Sequence, residues 1–203
     1  MLPYYKIITV PDLTQITQEL DQALPELVTG QFDLKAVYSF NIIDVTKLLD
    51  LTPTLATWLD TVGLKNNLWL AGFPWAAPAS VGALHIDGNS AINFPVYNCE
   101  RGYSVWYRAY PSGENKLSTS GKSVDLTSPR YGTHRGEYMP CLLTQRRHLT
   151  RVMHDNGPEL ARVSNQYPIW FNTSIPHCGI NFSDQPRIIF TMRFDCPLDV
   201  DAL

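Results

Sequence analysis

No stretch of about 18 apolar residues occurs anywhere in the 203-residue chain, which excludes a membrane-spanning helix. The N-terminus lacks a basic segment followed by an apolar run, so no secretory signal is expected. Net charge is small, −3, and this argues against bulk attraction to nucleic acid or to an anionic membrane. The four cysteines (Cys99, Cys141, Cys178 and Cys196) form no Cys-x-x-Cys pair. Free thiols in a reducing, cytoplasmic setting are the expectation. A Gly-rich phosphate loop, a Gly-x-Ser-x-Gly elbow and a zinc-type Cys/His cluster are all missing, and with them the chemistries they support. Internal repeats are absent too. Asn172-Thr-Ser and Asn181-Phe-Ser match the glycosylation sequon, but so short a motif does not outweigh the missing export signal.

What the chain does have is enough apolar content, 44%, to bury one sizeable core. Fifteen Pro, ten Tyr and five Trp favour strands and turns over a helical bundle. Helical character is confined to the first third. Residues 11–27 place Leu13, Ile16, Leu20, Ala23, Leu24 and Leu27 close to helical spacing. A second helix has Thr52 as N-cap, Pro53 at its first position and Gly63 as its stop, burying Leu55, Trp58, Leu59 and Val62.

From residue 68 the pattern changes to short runs rich in β-branched and aromatic residues, at 68–71, 82–85, 91–96, 103–107, 148–153, 169–172, 177–182 and 187–194. Such a series separated by Pro, Gly, Asn and Asp predicts a sandwich or jelly-roll barrel. Residues 112–147 interrupt it with a Ser/Gly/Thr-rich basic segment, an insertion of the kind that is a functional lid or a disordered segment, with a lid the expectation. The organisation read from the sequence is one domain: a helical support at 1–66 and a β core at 67–203.

The residues that carry chemistry begin with Leu84-His85-Ile86-Asp87-Gly88. Alternation on a strand projects His85 and Asp87 to one side. An imidazole and a carboxylate side by side are two of the three ligands of a 2-His-1-carboxylate facial triad, which leaves metal positions open for substrate and oxygen. Further on, His177 opens a short strand after Pro176, and Arg187 heads the apolar run Ile-Ile-Phe-Thr-Met ten residues later. An inward-facing arginine there needs an anionic partner. Asn93, inside an apolar strand, is a second polar group suited to a pocket. In 103–107, Tyr103, Val105 and Tyr107 alternate with Ser104 and Trp106, so one set lines the barrel.

This order, His-x-Asp, a long gap, His, then Arg, resembles that of the iron(II)- and 2-oxoglutarate-dependent dioxygenases. The flanking Asn172-Thr, Pro176-His177 and Pro186-Arg187-Ile-Ile-Phe are similar to the phytanoyl-CoA and aspartyl/asparaginyl hydroxylase branches in particular. The resemblance spans roughly 68–194 and implies a double-stranded β-helix, a cupin-like jelly roll. It implies His85, Asp87 and His177 as ligands of Fe(II), and Arg187 as the residue that pairs with the far carboxylate of 2-oxoglutarate. It further implies hydroxylation of a C–H bond with O2, releasing succinate and carbon dioxide. Many relatives carry Arg-x-Ser at the cosubstrate position; here Ile188-Ile189 follow, and Thr191, Tyr103 and Tyr107 are the candidate hydroxyl partners. The substrate is expected to be a small molecule or a peptide or protein. The rival readings are a cupin-type metalloenzyme that does not use 2-oxoglutarate, and a jelly-roll binding or structural protein without catalysis.

Overall fold

The computed structural model describes residues 4–28, 37–82, 85–86, 90–107, 127–128, 132–133, 135–136, 141–142, 159–196, 198–199, 201 and 203; at 85–86, 90 and between 127 and 142 it describes the backbone alone. The strands are β1 (Tyr5–Ile7), β2 (Tyr38–Ile43), β3 (Leu68–Ala76), β4 (Ser80–Val81), β5 (His85–Ile86), β6 (Ser90–Tyr97), β7 (Gly102–Tyr107) and β8 (Thr127–Ser128). They continue with β9 (Gly132–Thr133), β10 (Arg135–Gly136), β11 (Cys141–Leu142), β12 (Glu159–Ser164), β13 (Ile169–Asn172), β14 (His177–Asn181) and β15 (Arg187–Phe194). The helices are α1 (Leu13–Leu27), α2 (Val45–Leu51) and α3 (Pro53–Thr61).

Two antiparallel sheets face each other. The larger runs β1-β13-β6-β15-β3-β2; in the smaller, β14 lies between β5, β4 and β7, and β12 adds beyond β7. Strand alternation splits β15 cleanly. Ile188, Phe190, Met192 and Phe194 join Ile92, Phe94, Phe73 and Trp75 in a core that the helices cover with Ile16, Leu20, Leu48, Leu55 and Leu59. The opposite face of β15 carries Arg187, Ile189, Thr191 and Arg193 towards the smaller sheet. Trp106 and His177 of that sheet meet Phe171 of the larger one edge-on, at ring-centroid distances of 5.5 and 4.8 Å. This is the jelly-roll architecture expected from the strand series.

The helical support also contributes strands. β1 and β2, both inside 1–66, form the two edges of the larger sheet. Within the expected insertion, β10 pairs with β5 and β11 with β4, so parts of 112–147 belong to the smaller sheet. In the same segment β8 pairs with β9 in a separate two-stranded sheet; its other residues, and the strand expected at 148–153, lie outside the described residues.

Gly63 ends α3 with a φ of 70°, as its stop role requires. Thr52 precedes Pro53 as expected but makes no side-chain cap. Because α2 runs into α3 with no loop, the Thr52 hydroxyl donates back to Leu48 O at 2.7 Å. Glu19 of α1 takes over the cap. Its buried carboxylate accepts from Thr54 N at 3.0 Å and from Thr54 Oγ1 at 2.6 Å, placing negative charge at the helix N-terminus. Glu19→Ala strips both donors of their partner and should cost about 1–3 kcal/mol, read as a lower urea midpoint with an unchanged slope. An unshifted midpoint would show that water replaces the carboxylate.

Candidate active site

β14 places His177 in register with His85 of β5 on one side and with Trp106 of β7 on the other. Positions in direct register share a sheet face, so the backbone brings positions 85 and 177 together across one strand pair. Asp87 lies outside the described residues. Pro176 lies between the turn at 173–174 and β14. His177 Nδ1 lies 2.8 Å from Ile175 O. A carbonyl only accepts, so Nδ1 carries the proton, and in the neutral ring Nε2 carries the lone pair. That second hydrogen bond is how a metal-ligating imidazole is held to one tautomer. His177 is buried and lies edge-on to Phe171.

Arg187 begins β15 and points inward, where it is 2% exposed. It reaches across the gap into the smaller sheet, between two glycines. A Cβ on Gly102 would run into Arg187 Cδ, and one on Gly179 would lie 2.7 Å from Nη2. The guanidinium therefore occupies the space that side chains at 102 and 179 would fill. Nη1 donates to Asn165 Oδ1. Nε has no partner, and no carboxylate pairs with the side chain, among the described residues. Burial pulls the guanidinium pKa below its ordinary value, against the smaller opposing influence of Cys99, Tyr38 and Cys178. A buried cation with one amide for company is costly unless an anion joins it.

Two of the remaining candidates share this interior. Asn93 and Thr191 are register partners on β6 and β15, both buried, on the same face as Arg187 and Ala91. Asn93 Oδ1 has no partner among the described residues. Tyr103 and Tyr107 do not share it, which corrects their proposed role as hydroxyl partners of Arg187. In register, Tyr103 opposes Ile180 and Val105 opposes Cys178. These residues, with Val81 and Tyr107, form a separate apolar cluster on the other face of the smaller sheet. The alternation read from the sequence holds, but the set that turns inward is Ser104 and Trp106. Burial and the neighbouring Cys178 keep the Tyr107 phenol protonated, well above its usual range.

Asn165, Gly102, Gly179 and Tyr38 lie around Arg187 and were not among the candidates in the sequence. Asn165 sits in a Ser-Asn-Gln-Tyr-Pro turn and reads as an ordinary turn residue. The two glycines interrupt strand patterns, a known sign of close approach by another group, but nothing in the sequence says that the group is Arg187. The sequon asparagines are engaged internally: Asn181 Nδ2 donates to Ala77 O at 2.9 Å and to Gln185 O at 2.8 Å. Cys99, Cys178 and Cys196 are free thiols. No helix among the described residues is long and apolar enough to cross a membrane.

No protein-family model matches the chain, and no curated protein matches it. Solved structures do. The chain is similar to the non-heme alpha ketoglutarate dependent carbocyclase SnoK from nogalamycin biosynthesis, with a TM-score of 0.50 and 13% identity over 93% of this chain and 78% of that one. It is similar also to the epimerase SnoN in complex with Fe3+, alpha ketoglutarate and nogalamycin RO, with a TM-score of 0.51 and 13% identity over 93% of this chain and 77% of that one. At this identity the likeness establishes a shared jelly-roll fold.

Proposed function

We propose that the chain is an iron(II)- and 2-oxoglutarate-dependent oxygenase, with His85, Asp87 and His177 as the metal ligands and Arg187 as the anchor for the cosubstrate. The observation that carries this reading is the wholly buried Arg187, with no carboxylate against it among the described residues. A guanidinium in that state is built for an anion that arrives from outside, and its planar fork suits a carboxylate. The tautomer of His177, the register of position 85 beside it, and the shared fold with two alpha ketoglutarate dependent enzymes support the same reading.

Bound iron, with O2, would supply the oxidising power for the C–H step while 2-oxoglutarate is converted to succinate and carbon dioxide. The chain's own parts have simpler tasks. Ile175 O holds the His177 proton at Nδ1, so that Nε2 presents its lone pair. Arg187 fixes the end of the cosubstrate that does not react, which orients the reacting end. Asn93 and Thr191 line the same interior and offer an amide and a hydroxyl; Thr191 is the hydroxyl candidate that remains for the Arg187 site. Phe171 and Trp106 close the interior with apolar surface that excludes water. Hydroxylation of a small molecule or peptide is the outcome proposed. The free thiols of Cys99, Cys178 and Cys196 fit a reducing, cytoplasmic setting.

Incubating the protein with iron(II), 2-oxoglutarate and oxygen, without added substrate, tests this. Slow succinate release that requires all three is expected. Tight metal binding with no succinate would favour a cupin-type metalloenzyme of another kind. Neither metal binding nor succinate would leave a jelly-roll binding protein.

A further inference from the structure

We infer that Asn165, held by Ser104, positions Arg187 by taking Nη1 and so leaves the Nε–Nη2 edge of the guanidinium as the fork that grips the cosubstrate carboxylate. This rests on the reading of Arg187 as the anion anchor. A guanidinium has only donors, so Asn165 must turn its oxygen towards Nη1. Its Nδ2 then donates to Ser104 Oγ at 2.8 Å, which fixes the amide in that orientation. The Asn165 backbone N–H donates to Gly102 O at 2.9 Å, tying the turn after β12 to β7. Asn165 and Ser104 are both buried, so these bonds form away from competing water.

The walls of the cradle agree. Gly102 lies along the Cδ side of Arg187, Gly179 lies against Nη2, and Asn165 holds Nη1. The group left over is Nε, buried and without a partner among the described residues. Orphaned buried N–H donors are rare and call for an explanation. Here the orphan lies on the Nε–Nη2 edge, along which a guanidinium binds a carboxylate in two parallel hydrogen bonds. The residue type at 165 suits the same role. An aspartate would hold Nη1 as well, but it would also cancel the charge. An asparagine supplies geometry without neutralisation, and the positive charge stays available to a ligand.

Asparagine and aspartate are nearly the same size, which makes Asn165→Asp the decisive variant. In the full chain, loaded with iron(II) without oxygen, calorimetry with 2-oxoglutarate should show affinity reduced about 100-fold or more, because a fixed internal carboxylate competes for the same cation. The ligand-free melting temperature should rise at the same time. Asn165→Ala should raise the KM for 2-oxoglutarate about tenfold with kcat at saturation nearly unchanged, and Ser104→Ala should act in the same direction more weakly. Wild-type affinity in Asn165→Asp, or a wild-type KM in Asn165→Ala, would overturn the positioning role and leave the anion site at Arg187 intact. Absence of 2-oxoglutarate binding by the wild-type chain would instead overturn the underlying reading, and the positioning role with it.

Discussion

Arg187→Met should abolish the stabilisation that 2-oxoglutarate gives the folded protein without lowering the melting temperature of the ligand-free chain. The two halves of this expectation come from one fact. Arg187 is desolvated, clasped by backbone at Gly102 and Gly179, and hydrogen-bonded to an amide instead of paired with a carboxylate. Replacing a buried charge by an apolar side chain of similar length is often neutral or stabilising, by about 1–4 kcal/mol. The variant leaves Asn165 Oδ1 without its donor, at a cost of about 1–3 kcal/mol. The two effects offset, so the ligand-free protein stays near its original stability. An arginine retained for structure would give the opposite result, a clear loss of stability. Arg187→Lys separates charge from shape. It keeps the cation and loses the planar fork, so the apparent KM for 2-oxoglutarate should rise on the order of tenfold or more, roughly 1.4 kcal/mol or more. Iron affinity should hardly change, because Arg187 is not among the proposed ligands. If both variants kept wild-type dependence on 2-oxoglutarate in a succinate-release assay, the anion site would lie elsewhere. Arg193, two positions beyond Thr191 on the same face of β15, would be the first residue to test, followed by Arg101 and Arg108.

Helices α1 and α3 and the strands of the inner layers were legible because each has a largely apolar face; the short α2 was not seen. Residues 169–172 and 187–194 were placed at their observed bounds, and 11–27 to within two residues. β2 was not seen. It is an edge strand, half-buried along most of its length, and its Tyr-Ser-Phe-Asn-Ile-Ile pattern follows a segment dominated by helical spacing. β12, Glu-Leu-Ala-Arg-Val-Ser, suits a helix as well as a strand, and only pairing with β7 decides it.

At the site, Arg187 stood out because a charge at the head of an apolar strand is a local contradiction that the sequence displays. Asn93 and Thr191 could be assigned a face by alternation alone. The same logic could divide 103–107 into two sets but could not say which set turns inward. That depends on β14, whose register puts Tyr103 beside Ile180 and Ser104 beside Gly179. Asn165 and the two glycines were invisible for a similar reason. Their meaning comes from a guanidinium that reaches them across the fold from a strand 22 to 85 positions away for Asn165 and Gly102. Thr52 shows the limit of capping signals: the right residue stood at the right place, but its hydroxyl was claimed by the preceding helix.

The metal centre is the central claim, and loss of a ligand is its largest expected effect. Three ligands on one octahedral face bind far more tightly than two, since each lost donor is replaced by a water with no chelate advantage. The bond from Nδ1 to Ile175 O leaves the lone pair on His177 Nε2, so His177→Ala removes the donor atom proposed for the metal. His85→Ala and Asp87→Ala test the other two proposed ligands. The variants should retain a cooperative unfolding transition, because the large apolar core behind β15 does not include His177.

The most direct measurement is an anaerobic iron(II) titration by equilibrium dialysis of the wild-type chain and the three variants, each first checked for cooperative unfolding. One iron per wild-type chain is expected, with no stoichiometric binding in His85→Ala, Asp87→Ala or His177→Ala. A wild-type chain that binds no iron, or a variant that binds it as tightly as the wild type, would contradict it.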